Sequence, residues 1–300
     1  MARPMEEGQL SGIRPVFQGK REIVSRGASM DFETLVLKKE AGIATLTMNR
    51  PARLNALTFQ MIAEMTQALQ EVAKDQSLRV LVLTGTGRAF CAGGDFRGDS
   101  GTPAALAVDP QLRRSTVLAQ AVRSYTKGIP LALQNLEIPT IAMVNGAAVG
   151  GGFSMALACD MRVGSENARF MVAWTLRGLV PAFGDTWLLP RIVGLGKAAE
   201  LIYTARFVEA EEALKLGILN KLVPAEKLES EGLELAHRVA QGPPLALRLS
   251  KLNMYKGLEV DFTTALEYLA SSQAQLFLTD DFVEATAAFQ QKRQPVFKGK

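Results

Sequence analysis

Ala89-Phe90-Cys91-Ala92-Gly93-Gly94-Asp95 and Val144-Asn145-Gly146-Ala147-Ala148-Val149-Gly150-Gly151-Gly152 are built alike. Each follows an apolar, β-branched run that reads as a buried strand. The runs are Arg79-Val80-Leu81-Val82-Leu83-Thr84 and Thr140-Ile141-Ala142-Met143-Val144. Each segment leads into a turn or a helix. The first turn of a helix carries backbone N–H groups with no intrahelical partner. Two such junctions, brought together, aim two donors at one oxygen. That arrangement is an oxyanion hole, often the largest single contribution in acyl chemistry.

Around these segments the pattern alternates between strand and helix. Residues 31–37 and 43–48 read as strands, and Asn49-Arg50-Pro51 ends the second. Residues 58–74 have helical spacing with Thr58 as a cap. A Gly/Pro/Ala-rich stretch over 98–110 reads as a mobile loop, and helical spacing returns over 112–135. The strand at 140–144 and a glycine-opened helix at 151–159 follow. This order implies a mostly parallel, twisted sheet. Beyond residue 197 helices dominate, at 197–204, 209–216, 226–241, 244–257, 261–278 and 280–293, with one strand signal at 218–223. Residues 1–29 lack periodicity and read as a disordered extension, with Met30 a candidate start. Glu6, Glu7 and Glu22 argue against a transit peptide. The expected division is 1–29, a core over 30–225, and a helical oligomerisation region over 226–300.

Three hundred residues with 48% hydrophobic content bury a large core. Lys and Arg number 34 against 30 Asp and Glu, a balance of +4 that suits an anionic small ligand. No basic block or aromatic-interleaved stripe points to nucleic acid, and no apolar run is long enough for a membrane span. The two cysteines, Cys91 and Cys159, argue for a reducing, cytoplasmic setting. The single histidine, His237, argues against an imidazole-ligated metal or a Ser-His-Asp triad. It reads as a solvated helix-face residue. Cys91, in an apolar run, reads as inert rather than nucleophilic.

Taken in order, further motifs carry a resemblance. They are Asn49-Arg50-Pro51 with Leu54-Asn55-Ala56-Leu57, the two glycine segments, Ala158-Cys159-Asp160, Gly178-Leu179-Val180-Pro181, Leu189-Pro190-Arg191-Ile192-Val193-Gly194, and Ala288-Phe289 with Lys292-Arg293. Over residues 31–298 the chain resembles the crotonase superfamily, the enoyl-CoA hydratases and isomerases. The resemblance implies an α/β fold, a ClpP-like spiral of ββα units with a helical C-terminal trimerisation region. It also implies a homotrimer or dimer of trimers acting on acyl-CoA thioesters, with coenzyme A as part of the substrate and no separate cofactor. It makes the amides of Gly94 and Gly151 the oxyanion-hole donors. It places CoA contacts at Arg53, Asn55, Ala56 and Leu57, at Ala92, Asp95, Phe96 and Arg97, and at Phe289 and Lys292 from a neighbouring subunit. Asp95 would fix the oxyanion loop, and Asp160 matches a structural position.

The acid–base residues depart from the pattern. Where a typical hydratase of the family carries two glutamates, this chain has Ser154 and Trp174. Hydration through two positioned carboxylates is therefore not expected, each such group being worth about 10²–10⁴-fold. Some isomerases of the family carry an Asp just after Gly-Leu-Val-Pro, where this chain has Ala182. Asp185, three residues on, reads first as a helix N-cap and second as a catalytic carboxylate. Ser154 reads as a polar helix residue or a weak water-binding group. Trp174 reads as a wall of the acyl pocket or a core residue, and Tyr125 as a residue within reach of the pocket. The expected activity is isomerisation or hydration of an unusual enoyl-CoA. The alternatives are decarboxylation or hydrolysis of an acyl-CoA, and non-catalytic acyl-CoA binding.

Overall fold

The computed structural model describes residues 32–97 and 116–300. The expected extension over 1–29 and the loop over 98–110 lie outside the described residues, as does the side chain of Tyr125. Residues 32–300 form one compact unit.

Two sheets organise it. The larger runs β1 (Leu35–Glu40), β2 (Ile43–Met48), β3 (Val80–Gly85), β5 (Thr140–Val144), β7 (Met161–Ser165) and β10 (Lys221–Val223). The smaller runs β4 (Ala89–Cys91), β6 (Ala147–Val149), β8 (Arg169–Met171) and β9 (Val208–Glu209). Successive pairs β3–β4, β5–β6 and β7–β8 thus send one strand to each sheet. Helices follow them: α2 (Thr116–Asn135), α3 (Gly151–Ala158) and α4 (Asp185–Val193). That repetition is the ββα spiral of the crotonase fold. α1 (Phe59–Lys74) joins β2 to β3, and its Thr58 side chain caps it by accepting from the Met61 amide. α5 (Leu195–Thr204) and α6 (Ala210–Lys215) bracket β9, and α7 (Leu228–Ala240), α8 (Pro244–Gly257), α9 (Phe262–Leu276) and α10 (Asp280–Gln291) complete the chain.

The β1–β2 hairpin turns on Ala41 and Gly42, both at positive φ, the geometry that matches strand twist in a two-residue turn. The first strand starts later than the pattern suggests. The amides of Glu33 and Thr34 donate to the Glu64 carboxylate on α1 and so are spent before the ladder begins. The large sheet is packed on both faces. Leu81 and Leu83 point into the main core, while Val80, Val82, Ile141, Met143 and Val163 point the other way, toward Leu228, Ala236 and Ala240 of α7. Gly232 lets α7 sit against Met143, whose Sδ would lie 2.2 Å from a Cβ at that position.

α8 is pinned by buried charge. Lys251, 4% exposed, places Nζ 2.9 Å from Asp160 Oδ2 and donates to the carbonyls of Leu133 and Ile138. Tyr255 donates its hydroxyl to the other Asp160 oxygen at 2.7 Å. α9 and α10 instead leave large apolar side chains exposed in the single chain, among them Phe262, Leu269 and Phe289. Among the described residues, no helix is long and apolar enough to cross a membrane. Breaking a buried ion pair strands its partner, so Lys251→Ala is expected to lower stability by about 3 kcal/mol. Urea denaturation followed by circular dichroism measures it.

Candidate active site

The two glycine segments meet because their strands pair. β4 and β6 run parallel, with Ala89 opposite Ala147 and Cys91 opposite Ala148, so the glycines leave both strands at the same end. The backbones then pass with no room for a side chain. A Cβ on Gly152 would lie 2.3 Å from the Cys91 carbonyl oxygen, and one on Gly93 would lie 2.7 Å from that of Val149. Gly150, at φ +50° and ψ −121°, turns the chain into α3, an angle pair open in practice only to glycine. Gly151 is thereby the first residue of α3, and its amide has no intrahelical carbonyl to reach.

Leu57 joins the two halves. Its amide donates to Gly93 and its carbonyl accepts from Asp95. In a parallel bridge of this kind the N–H of the residue between, Gly94, points away from Leu57. The Leu57 side chain, with Phe183, packs on Gly151, where a Cβ would lie 2.9 Å and 2.7 Å from them. One residue thus touches both candidate donors.

The segment carrying Leu57 is tied down from within. Asn55, fully buried at φ +55°, donates Nδ2 to the carbonyls of Thr86, Ala89 and Phe90 and accepts from the Arg50 amide. Its side chain is spent on the fold and not free for a ligand. Arg50 reaches the Ala56 carbonyl and pairs with Asp95 at 3.1 Å. Asp95 is 3% exposed and also accepts from the Arg97 amide. Ala92 donates its amide to the Leu54 carbonyl, Ala56 is buried, and Arg97 is exposed. Phe96 is exposed, with the Arg177 guanidinium 4.5 Å from its ring centre. Arg53 closes the 3₁₀ turn Pro51–Arg53 on the same segment. Phe289 and Lys292, at the end of α10, are exposed in the single chain.

One turn beyond Gly151, Ser154 is fully buried and donates to Asp185 Oδ2 at 2.7 Å. This corrects two sequence expectations. The cap of α4 is Gly184, at φ +92°, and Asp185 is the first helical residue, making no capping hydrogen bond. Ser154 is no plain helix residue, since it holds the carboxylate. Its oxygen also lies 3.0 Å from the Gly150 carbonyl. The hydroxyl has one proton and two acceptors. With Asp185 ionised it points to the carboxylate. With Asp185 protonated, the carboxyl can donate to Ser154, whose own proton turns to Gly150. Both protonation states are thus accommodated. Burial pushes the Asp185 carboxyl up to about 6, against the opposing pull of Ser154 and of the Asp185 and Phe183 amides.

Trp174 completes the group. It packs edge-on against Phe183 with ring centres 5.7 Å apart, and its indole N–H faces Asp185. Ser154, Trp174 and Asp185, named separately from sequence, are therefore neighbours. Phe183, which touches both Gly151 and Trp174, was not named. Its only signal is an aromatic two residues before Asp185. Cys91 is fully buried, and burial pushes its thiol up to about 12, which leaves it inert at neutral pH. His237 is exposed on α7. Among the described residues, no cluster of three or more His, Cys, Asp or Glu side chains is placed to hold a metal ion.

The model of the enoyl-CoA hydratase/isomerase family matches residues 38–300. A short-chain-enoyl-CoA hydratase from Clostridium acetobutylicum is 35% identical over 266 residues, covering 88% of this chain and 97% of the relative. A 1,2-epoxyphenylacetyl-CoA isomerase from Escherichia coli is 34% identical, covering 89% and 99%. The crystal structure of a protein described as an enoyl-CoA hydratase from Streptomyces coelicolor A3(2) superposes with a TM-score of 0.84 at 35% identity, covering 93% and 99%.

A carboxyl whose native pKa lies at about 6 favours its neutral form in the fold. The native state then binds more protons than the unfolded chain between the ordinary carboxylate value and 6, so stability falls as pH rises through that window. The loss at pH 7.5 is roughly 3 kcal/mol. Asp185→Asn is therefore expected to raise the melting temperature at pH 7.5, and to give no gain at pH 4. Thermal melts at the two pH values measure it.

Proposed function

The chain belongs to the enoyl-CoA hydratase/isomerase family, and on that premise we propose that it is an acyl-CoA enzyme working through a thioester enolate. The amides of Gly94 and Gly151 hold the enolate oxygen, and Asp185 carries the proton. The observation that supports this most is the buried Ser154–Asp185 hydrogen bond one helical turn from Gly151. A buried carboxyl held one helical turn from Gly151, by a partner that serves it in either protonation state, suits a proton carrier.

The chemistry follows from that count of groups. Each backbone donor aimed at a developing oxyanion is worth about 10²–10³-fold. Helix α3 adds the positive end of its dipole at Gly151. A single base that removes a proton beside the thioester and returns it at another carbon performs an isomerisation. The same base with one ordered water performs a hydration. Ser154 and Trp174 offer no second carboxylate, so the route with two glutamates is not the one proposed. Arg53, Arg97 and Lys292 are the proposed partners of CoA phosphates. Lys292 and Phe289 would act from a neighbouring subunit of a trimer or dimer of trimers, which also covers the apolar faces of α9 and α10.

Mass spectrometry of the purified protein with linear and cyclic enoyl, aromatic-acetyl and malonyl-type CoA thioesters tests the reading. Gain of water or isomerisation at constant mass is expected for one enoyl class. Loss of CO₂ or release of free CoA would replace it with decarboxylation or hydrolysis, and tight binding without conversion would mark a binding protein. Asp185→Asn should cut turnover at least about tenfold. The rate at low substrate should rise through about pH 6 and stay level above it, because the base acts ionised. Gly94→Pro, which deletes one donor, should abolish turnover in a protein that still folds. Full turnover in either variant would remove that residue from its role.

A further inference from the structure

We infer that Phe183 is a movable gate over Asp185. The segment 179–183 swings on Gly178 and Gly184 into the cavity behind it, and an acyl group reaches the carboxyl only while the ring is out. The inference rests on the reading of Asp185 as the proton carrier.

As it stands, the carboxyl is sealed. Asp185 and Ser154 are fully buried, and Phe183 is 2% exposed. Proton transfer needs heavy atoms within about 3 Å, directly or through one water. A side chain with no accessible surface offers no such approach, so part of its wall must give way. Most of that wall is fixed. Ser154 lies on α3, whose residues are all buried. Leu57 is bonded through its amide and its carbonyl to Gly93 and Asp95. The Trp174 carbonyl accepts from the amides of Arg177 and Leu179, around the 3₁₀ turn Thr175–Arg177.

Phe183 is held differently. It ends a segment, 179–183, that belongs to no helix or strand. A glycine at positive φ stands at each end, Gly178 at +66° and Gly184 at +92°. Packing does not require either one. A Cβ on Gly178 would meet nothing within 4 Å, and one on Gly184 would meet only Leu188, at 3.5 Å. Gly93 and Gly152 are glycines for lack of room, whereas these two supply backbone freedom. A few such residues absorb the angle change when a loop moves. Leu179 and Val180, between them, are exposed. The ring of Phe183 packs on Gly151 and Trp174, while Pro181, Ala182 and Gly184 line a cavity of about 870 Å³. Leu131 of α2, Trp187 of α4 and Leu252 of α8 form other parts of its wall. A cavity of about 150 Å³ already admits benzene, so this one has room for the displaced side chain. Because the ring touches Gly151 and Trp174 and the Phe183 amide faces the carboxylate, its departure uncovers the candidate donor and the proton carrier together.

Carboxyl labelling tests the gate without any turnover. The full chain is treated near pH 6 with a water-soluble carbodiimide and glycine ethyl ester, and peptide mass spectrometry follows Asp185 against the exposed Glu211 of α6. In the wild-type protein Asp185 should label more slowly than Glu211, at a rate that stays level from 0 to 1 M urea, because a local opening exposes little surface. Equal labelling of the two overturns the inference. So does a rate that climbs about fivefold or more over that range, the mark of global unfolding. Phe183→Ala should raise the Asp185 to Glu211 ratio at least about tenfold while the buried Cys91 thiol stays unreactive toward a thiol reagent. An unchanged ratio, or a gain matched by Cys91, overturns it. Ala182→Trp fills the cavity from the back of the segment and should lower the ratio at least about tenfold, and an unchanged ratio again overturns it. Should Phe183→Ala fail to fold, the wild-type urea series and Ala182→Trp decide. Gated labelling in a protein that converts no thioester leaves the gate standing and sinks the enolate reading. Turnover with ungated labelling sinks the gate alone.

Discussion

Everything at the centre of this protein depends on two backbones approaching more closely than any side chain permits. The Gly93 segment lies against Val149, and Gly152 lies against Cys91, at spacings where a single Cβ would collide with a carbonyl oxygen. This contact continues the pairing of β4 with β6 beyond the ends of the strands. It is what brings the two glycine segments side by side. The large sheet holds the segments at the right height, Asn55 clamps the loop that leads to Leu57, and the Arg50–Asp95 pair closes the far side. Interiors are packed like crystals and do not yield to an extra methyl. The glycines therefore specify the geometry as firmly as a large side chain would elsewhere.

The sequence showed the large sheet and the helices well, because their residues repeat. Val80, Val82, Leu81 and Leu83 form an unbroken apolar run that only a strand covered on both faces accommodates. The small sheet was harder to see. β4, β6 and β8 are three residues each, and β6 is Ala-Ala-Val between glycines, so neither alternation nor length marks it. The glycine clusters were legible because positive φ and close approach leave few alternatives to glycine. The Ser154–Asp185 pair was not, since the two residues lie thirty-one apart and nothing local links them. The cap reading of Asp185 failed for a related reason. Asp at the start of a helix is a good local prior, but a tertiary partner outbid it and Gly184 took the cap.

Asp185 shows how a fold carries a group it would be more stable without. Burial raises the energy of its charged form, and the Ser154 hydroxyl opposes that by donating to it. Ser154 in turn has an acceptor waiting on each side, so neither state of the carboxyl leaves its hydroxyl stranded. The cost falls on global stability and is spread over a large core. Perturbed groups of this kind concentrate where chemistry occurs.

The donors proposed at Gly94 and Gly151 have a consequence for evolution. They are peptide groups, and a peptide N–H is a part of a protein that point substitution cannot delete, proline excepted. Lineages that inherit this backbone can exchange serine, tryptophan, aspartate or glutamate around it while the main-chain donors persist. On the proposed reading, each exchange begins from a scaffold that already supports charge on the thioester oxygen, so partial activities are available to selection from the first step. The same scaffold makes ancestry a poor guide to reaction, because the inherited part is the part that all the descendants share.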